Sequence, residues 1–245
     1  MKTYRADLHV HTVLSPCAAI EMIPPLIVQE ALSNGINLIA ISDHNTSGNV
    51  NSVQKAAQGT GLVVLPGMEV QTREEVHVLC LFDTIEQSDA WQKIVYDKLP
   101  DIENKPDFFG EQFVVDETGD FIRREERLLI NSIDLSFEEA GKYVTDLGGL
   151  FIPAHIDRKA FGLIANLGLV PDGVDIKALE ISRRLKPHEA YQAYPQIRGY
   201  PLIQNGDVHY INEFLGSMEI TLEEPNIGEL MEAILQENGR SLIIA

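Results

Sequence analysis

The sequence predicts one α/β domain in which parallel strands alternate with helices packed outside them. Three observations predict it. Short apolar runs alternate with longer amphipathic ones along the chain. A length of 245 residues suits one sizeable core, such as a single α/β barrel over 1–245. Polar residues able to bind metals recur at or near the C-terminal ends of the apolar runs, the end where barrel enzymes gather their functional groups.

Arg5–His11 is the first expected strand. A helix over Pro24–Asn34 follows, with proline near its start and Gly35 past its end. Asn37–Ser42 is a buried strand and Val50–Gln58 a helix. Gly61–Glu69 and Val76–Phe82 are strands, and Ile85–Leu99 is a helix. Residues 100–130 interrupt the alternation. Pro100, Pro106 and Gly110 mark a loop, and Phe113–Arg124, around Asp116-Glu-Thr-Gly-Asp120, is expected to form a β-hairpin. This segment is read as a small insertion at one face of the barrel. Ser136–Leu147 is a helix, with Ser136 and Glu139 forming a capping box. Gly149–Ala154, Lys177–Ile181, Pro201–Asn205 and Ser217–Leu222 are strands. Asn226–Asn238 is a last helix, closed by Gly239, before a short strand over Ser241–Ala245.

Bulk properties narrow the function. No run of about 18 apolar residues exists, so no membrane span is expected. The N-terminus lacks the apolar stretch of a signal peptide. Two cysteines, Cys17 and Cys80, argue against a disulfide framework and for a reducing cytoplasm. The net charge of −18 argues against tight nonspecific binding to long nucleic acid. A small anionic substrate remains compatible, because bound divalent cations would set the local field. No charge pattern or helix face marks an interface with a second copy.

The informative residues are the histidines. Six of the seven, His9, His11, His44, His77, His155 and His209, lie in or just after apolar runs, as do Glu69 and Asp207. Imidazoles and carboxylates are the ligands of Zn²⁺, Mn²⁺ and Fe²⁺. Gathering so many is expensive for folding unless a metal compensates. A multinuclear metal site is therefore expected, with His77 inside its strand and facing the barrel interior. His188 reads as a surface residue at a helix start, Cys80 as strand packing, and Arg123-Arg-Glu-Glu-Arg127 as a solvated strand face. Glu180 is either a support for the site or a salt-bridge partner.

The ordered set Asp7-Leu-His9-Val-His11-Thr, Ser42-Asp43-His44-Asn45, Pro66-Gly67-Met-Glu69, His77, Pro153-Ala-His155 and Gly206-Asp207-Val-His209 resembles the PHP family, the polymerase-and-histidinol-phosphatase domain. The resemblance implies a distorted (β/α)₇ TIM-like barrel with a trinuclear metal site of two to three divalent ions (Zn, Mn or Fe). It implies that His9, His11, Glu69 and Asp207 hold one metal and that Glu69, His77 and His155 hold a second, with Glu69 bridging. His44 and His209 would hold the third. The further ligand usual there falls in Thr12-Val-Leu-Ser-Pro16-Cys17, where Cys17 is the candidate as a thiolate. Ala-His155-Ile-Asp-Arg158 resembles the family's histidine-plus-arginine segment.

Two metals about 4 Å apart can clamp a phosphoryl group and generate a hydroxide nucleophile near neutral pH. Arg158, and after it Arg183 and Arg184, are expected to bind phosphate oxygens, as guanidinium does bidentately. Asp43 is expected to orient His44 or another ligand from behind, and Asp7 is given the same role. The expected function is hydrolysis of a small phosphomonoester. The alternatives are a nuclease or oligonucleotide phosphatase, an inactive metal-binding regulatory domain, and a hydrolase of C–N or C–O bonds.

Overall fold

A curled seven-stranded sheet frames the molecule. The structure is a computed structural model describing residues 1–245. The first half comprises β1 (Lys2–Val10), α1 (Pro24–Ser33), β2 (Leu38–Ile41), α2 (Val50–Ala56), β3 (Val63–Gln71), β4 (His77–Leu81) and α3 (Ile85–Lys98). Next come α4 (Pro106–Phe109), β5 (Phe113–Val115), β6 (Phe121–Arg124), α5 (Phe137–Asp146) and β7 (Leu150–Pro153). Then follow α6 (Leu163–Leu167), β8 (Leu179–Ile181), α7 (Pro187–Ala193), β9 (Leu202–Gln204), β10 (Met218–Leu222), α8 (Ile227–Leu235) and β11 (Ser241–Ile244).

The uniform parallel arrangement expected from the alternation is not what forms. β1, β2 and β3 are parallel, and β8 pairs in parallel with β9. β4 runs antiparallel to both β3 and β7, and β10 runs antiparallel to β1 and to β11. The reason is connection length. Only residues 72–76 separate β3 from β4. That is a hairpin turn, whereas a parallel crossover needs a dozen residues or more. The β8–β9 pair is tied to the sheet on both sides. Ile156 N–H donates to the Glu180 carbonyl at 2.9 Å, and Val10 bridges Val208 in parallel. The result is a mixed α/β fold around a curled sheet.

Residue periodicity separates the two faces of this sheet. Ala6, Leu8, Leu38, Ala40, Leu65, Leu79, Leu81, Leu150, Ile152, Ala178 and Ile203 form one buried cluster on the concave side, closed below by Leu230 and Ala233 of α8. The alternate residues face outward. Val10, Ile39, Ile41 and Val64 pack under α1 and α2, while Met68, Val70, Val78, Cys80 and Phe151 pack under α3 and α5. Cys80 is therefore packing, as expected. One irregularity matters to function. The register of β1 against β2 shifts between Asp7 and Val10, so Leu8 lies in the interior cluster and Val10 in the outer one. An extra residue in one strand re-aims the side chains that follow it. Here it turns His9 and His11 inward.

The expected hairpin is present as antiparallel β5–β6. It rests on the loops at the mouth. Phe113 N–H donates to the Val13 carbonyl, and Asn49 bonds both Phe113 and Val115. The capping box on α5 forms as expected between Ser136 and Glu139. No helix is long and apolar enough to cross a membrane.

Gly67 sits where β3 passes from its parallel partner to its antiparallel one. A Cβ there would meet the Ile41 carbonyl at 2.7 Å and Leu81 at 3.0 Å. Gly67→Ala should destabilise by about 1–3 kcal/mol through overpacking. Thermal melts would show a midpoint lowered by several degrees; an unchanged midpoint would mean that the strands have room to spread.

Candidate metal centre

The polar layer sits directly above the apolar one on the same concave face. His9 and His11 follow Leu8 on β1, Glu69 and Gln71 follow Leu65 on β3, and Glu180 follows Ala178 at β8. β4 enters from the opposite direction, so His77, which lies within its strand as expected, is the first residue of that strand and stands at the mouth. Its antiparallel course brings it opposite Gln71. His44, His155 and Asp207 follow the ends of β2, β7 and β9. His155 and Asp207 have positive φ (28° and 50°), a conformation that is uncommon outside glycine and is found at constrained sites.

Glu69 is the hub and is 1% exposed. Its carboxylate oxygens lie 3.3 Å from His9 Nε2, 3.1 Å from His44 Nδ1, 3.0 Å from His77 Nδ1 and 3.0 Å from His155 Nε2. Asp207 Oδ1 lies 3.3 Å from both His9 Nε2 and His11 Nε2. Three groups have ligand atoms all within 4.8 Å of one another: His9, His11, Glu69 and Asp207; His44, Glu69 and His77; and His11, His44 and His209. All the expected histidines thus converge with Glu69 and Asp207. The pairing differs in detail, because His44 joins Glu69 and His77 in the second group and His155 reaches only Glu69. Cys17 is not brought in. It is exposed, and His11 stands in the third group where Cys17 was expected. His188 is exposed on α7, as expected.

Hydrogen bonds from behind decide which ring nitrogen faces inward. Glu180 receives His9 Nδ1 at 3.1 Å, and also takes the His155 backbone N–H and Asn205. It supports the site. Ser15 donates its hydroxyl to Asp43 at 2.6 Å, so its oxygen accepts from His11 Nδ1 at 2.9 Å. Gln71 donates its amide to Ser132 and so presents its oxygen to His77 Nε2 at 3.0 Å. For His11 and His77, which burial keeps neutral, the outer nitrogen carries the proton and the inner lone pair faces a carboxylate. Two acceptors facing each other call for a cation between them. Consistently, His9 Nε2, His11 Nε2 and Asp207 Oδ1 are buried without a hydrogen-bond partner. The donor set fits Zn²⁺, Mn²⁺ or Fe²⁺.

Asp43 accepts from the Thr12 backbone and hydroxyl at 2.7 Å each and from Ser15. It therefore orients the His11 ring through Ser15, whose oxygen also accepts the His44 backbone N–H at 3.2 Å. Asp7 touches no ligand ring. It accepts from the Gly206 and Leu215 backbones, tying down the Asp207 loop, and burial pushes its pKa up to about 6. Burial pulls His11 down to about 3 with help from His209, and burial likewise depresses His44 and His77. His9 goes the other way. Burial disfavours its charge, but Glu180, Asp207 and Glu69 outweigh burial and hold it well above its ordinary value. Burial also opposes ionisation of Glu69 and Asp207, yet His77, His9 and His44 for the one, and His9 and His11 for the other, hold both well below the carboxylate range.

A cavity of about 610 Å³ lies beside this cluster, lined by Arg158, Lys159, Phe161, Arg183 and Arg184 among others. Arg158 pairs with Asp207, and Arg183 with Glu213, which also caps the His209 backbone N–H. Arg184 and Lys159 pair with no carboxylate. Asp157 accepts from both the N–H and the hydroxyl of Ser182, locking the two arginine-bearing loops together. Ser15, Gln71 and Asn205 were missed from the sequence. Gln71 and Asn205 had a usable signal, lying two residues from Glu69 and Asp207 at or near strand ends, where alternate residues share a face.

The PHP domain model matches residues 7–141. A 5'-3' exoribonuclease of Haemophilus influenzae is 29% identical over 82 residues, 32% of this chain and 29% of the exoribonuclease. The lesion-specific endonuclease PfuEndoQ from Pyrococcus furiosus has a similar structure, with a TM-score of 0.75 at 21% identity over 98% of this chain and 58% of the endonuclease. An amidohydrolase from Chromobacterium violaceum has a TM-score of 0.61 at 18% identity over 98% of each chain. The chain thus spans little more than half of the endonuclease, and its match covers under a third of the exoribonuclease.

Glu180→Gln should weaken Mn²⁺ or Zn²⁺ binding about 10–100-fold while the fold persists, because His9 loses its charged partner. Metal titration with circular dichroism as a control checks this; unchanged affinity would remove Glu180 from the support of His9.

Proposed function

Because the chain belongs to the PHP domain family, we propose that residues 1–245 form a single barrel-type domain that acts as a metal-dependent phosphoesterase on a small phosphomonoester. The observation that carries this reading is the convergence of unpartnered His9 Nε2, His11 Nε2 and Asp207 Oδ1 beside a cavity lined by three arginines and a lysine. His9, His11, Glu69 and Asp207 would hold one ion, Glu69 with His77 and His155 a second, and His44 with His209 a third, since the single inward nitrogen of His11 serves one ion only. Bound there, a divalent ion supplies Lewis acidity toward a phosphoryl oxygen and toward water.

The chain's own residues do the rest. Arg158 and Arg184 face the cavity and bind the non-bridging oxygens. Arg183 is committed to Glu213 and holds the His209 loop. Asp43, through Ser15, keeps His11 Nε2 turned inward. The free thiols of Cys17 and Cys80 are compatible with the cytoplasmic location expected from the sequence.

A second reading is hydrolysis of a phosphodiester in nucleic acid. The four cations around the cavity favour it, as does the fold shared with a lesion-specific endonuclease. The acidic net charge does not oppose it, because the field at the mouth is set by local charges.

Hydrolysis of an aryl phosphomonoester beside the matching diester, with Mn²⁺ and with chelator, separates the readings. Chelator-sensitive turnover of the monoester is expected. Turnover of the diester alone would establish the second reading, and no turnover of either by metal-loaded protein would overturn both. Arg184→Ala should raise KM about tenfold, the loss of a charge-assisted hydrogen bond, with metal content unchanged. An unaltered KM would remove Arg184 from the substrate path.

A further inference from the structure

We infer that Phe161 is a positioning residue for His77, fixing the tilt of that imidazole at the mouth. The inference rests on the reading of the cluster as a metal centre. It begins with the backbone. Phe161 has φ +61°, which a bulky L-residue adopts only at a cost. Such conformations persist where the surroundings over-determine them, and they collect at functional sites.

Three contacts over-determine this one. The Phe161 ring lies flat on the His77 imidazole, with centroids 4.5 Å apart and planes 7° apart. The Phe161 carbonyl accepts the His77 backbone N–H at 2.9 Å. Gly162 lets the loop fold back on itself, since a Cβ there would lie 2.2 Å from the Arg158 carbonyl oxygen. The ring does not fill the core, because Phe161 is 38% exposed and lines the cavity beside Arg158 and Lys159.

What the ring adds follows from the other contacts of His77. Glu69 engages Nδ1 and Gln71 engages Nε2, each at 3.0 Å. These bonds act in the plane of the ring, and His44 and His155 meet it edge-on at 5.2 and 5.3 Å. The stacked Phe161 ring adds the flat support against the imidazole face and so resists its tilting. The same loop carries Arg158, which pairs with Asp207. Residues 157–162 therefore reach His77 on β4 and Asp207 in the loop after β9, and form a wall of the cavity.

The test is calorimetric titration of the metal-stripped full chain with Mn²⁺, together with its melting temperature. Phe161→Gly should weaken one class of Mn²⁺ site about tenfold, the lower end of what outer partners of a ligand contribute. Its metal-free melting temperature should equal or exceed the native value, because glycine accepts positive φ without strain. Phe161→Tyr keeps the ring and should restore native affinity. In a His77→Ala background, Phe161→Gly should add nothing. Native affinity in Phe161→Gly would overturn the inference. So would Phe161→Tyr binding as weakly as Phe161→Gly, or a further loss on top of His77→Ala. A native chain that binds no Mn²⁺ is a separate outcome, which removes the metal reading and this inference with it.

Discussion

The structure is organised around one buried carboxylate. Glu69 has four imidazoles within 3.0–3.3 Å and almost no contact with solvent. An ionised carboxylate in such a place is tolerable only with compensating charge close by. Without a metal that charge falls on His9, whose own surroundings are three carboxylates. His11, His44 and His77 are driven toward neutrality by burial, and lone pairs are left facing oxygen. A divalent cation resolves these conflicts together, which is why the cluster reads as a metal centre and not as a polar core.

Each architectural departure from a regular barrel serves this geometry. The register shift in β1 turns His9 and His11 onto the face already occupied by Leu8. The reversal of β4 delivers His77 to the mouth from the opposite direction. Positive φ at Asn45, His155, Phe161 and Asp207 ends or turns the chain where regular strand geometry would carry the side chains away. Asn45 meets its share of the cost through its amide, which bonds the Leu129 and Asn131 carbonyls and so anchors the insertion to the site. Glu180, Ser15, Asp43 and Gln71 then hold the rings by their outer nitrogens.

Charge is likewise partitioned. The chain as a whole carries −18, yet the cavity beside the cluster is lined by three arginines and a lysine. Arg183 is spent on Glu213, and Arg158 faces the cavity while contacting Asp207; both acids shape the ligand loops. Arg184 and Lys159 remain unpaired. Net charge governs long-range approach, while these few groups govern what binds at short range.

Much of this was legible in the sequence. The two-residue spacing of His9 and His11, the apolar runs before Glu69 and Asp207, the hairpin over 113–124 and the Ser136/Glu139 capping box are local patterns, and local patterns survive translation into structure. The direction of β4 was also legible, since residues 72–76 are too few for a crossover. Cys17 lies outside the three ligand groups, because the turn from Thr12 to Ser15 just before it is committed to Asp43. What the sequence alone determined was the identity and order of the ligands and the elements that carry them. Only the tertiary structure decided which imidazoles share Glu69, which nitrogen of each faces inward, and which arginines are free. Those outcomes depend on strand register and on hydrogen bonds between residues as far apart as His9 and Glu180, and no local pattern encodes them.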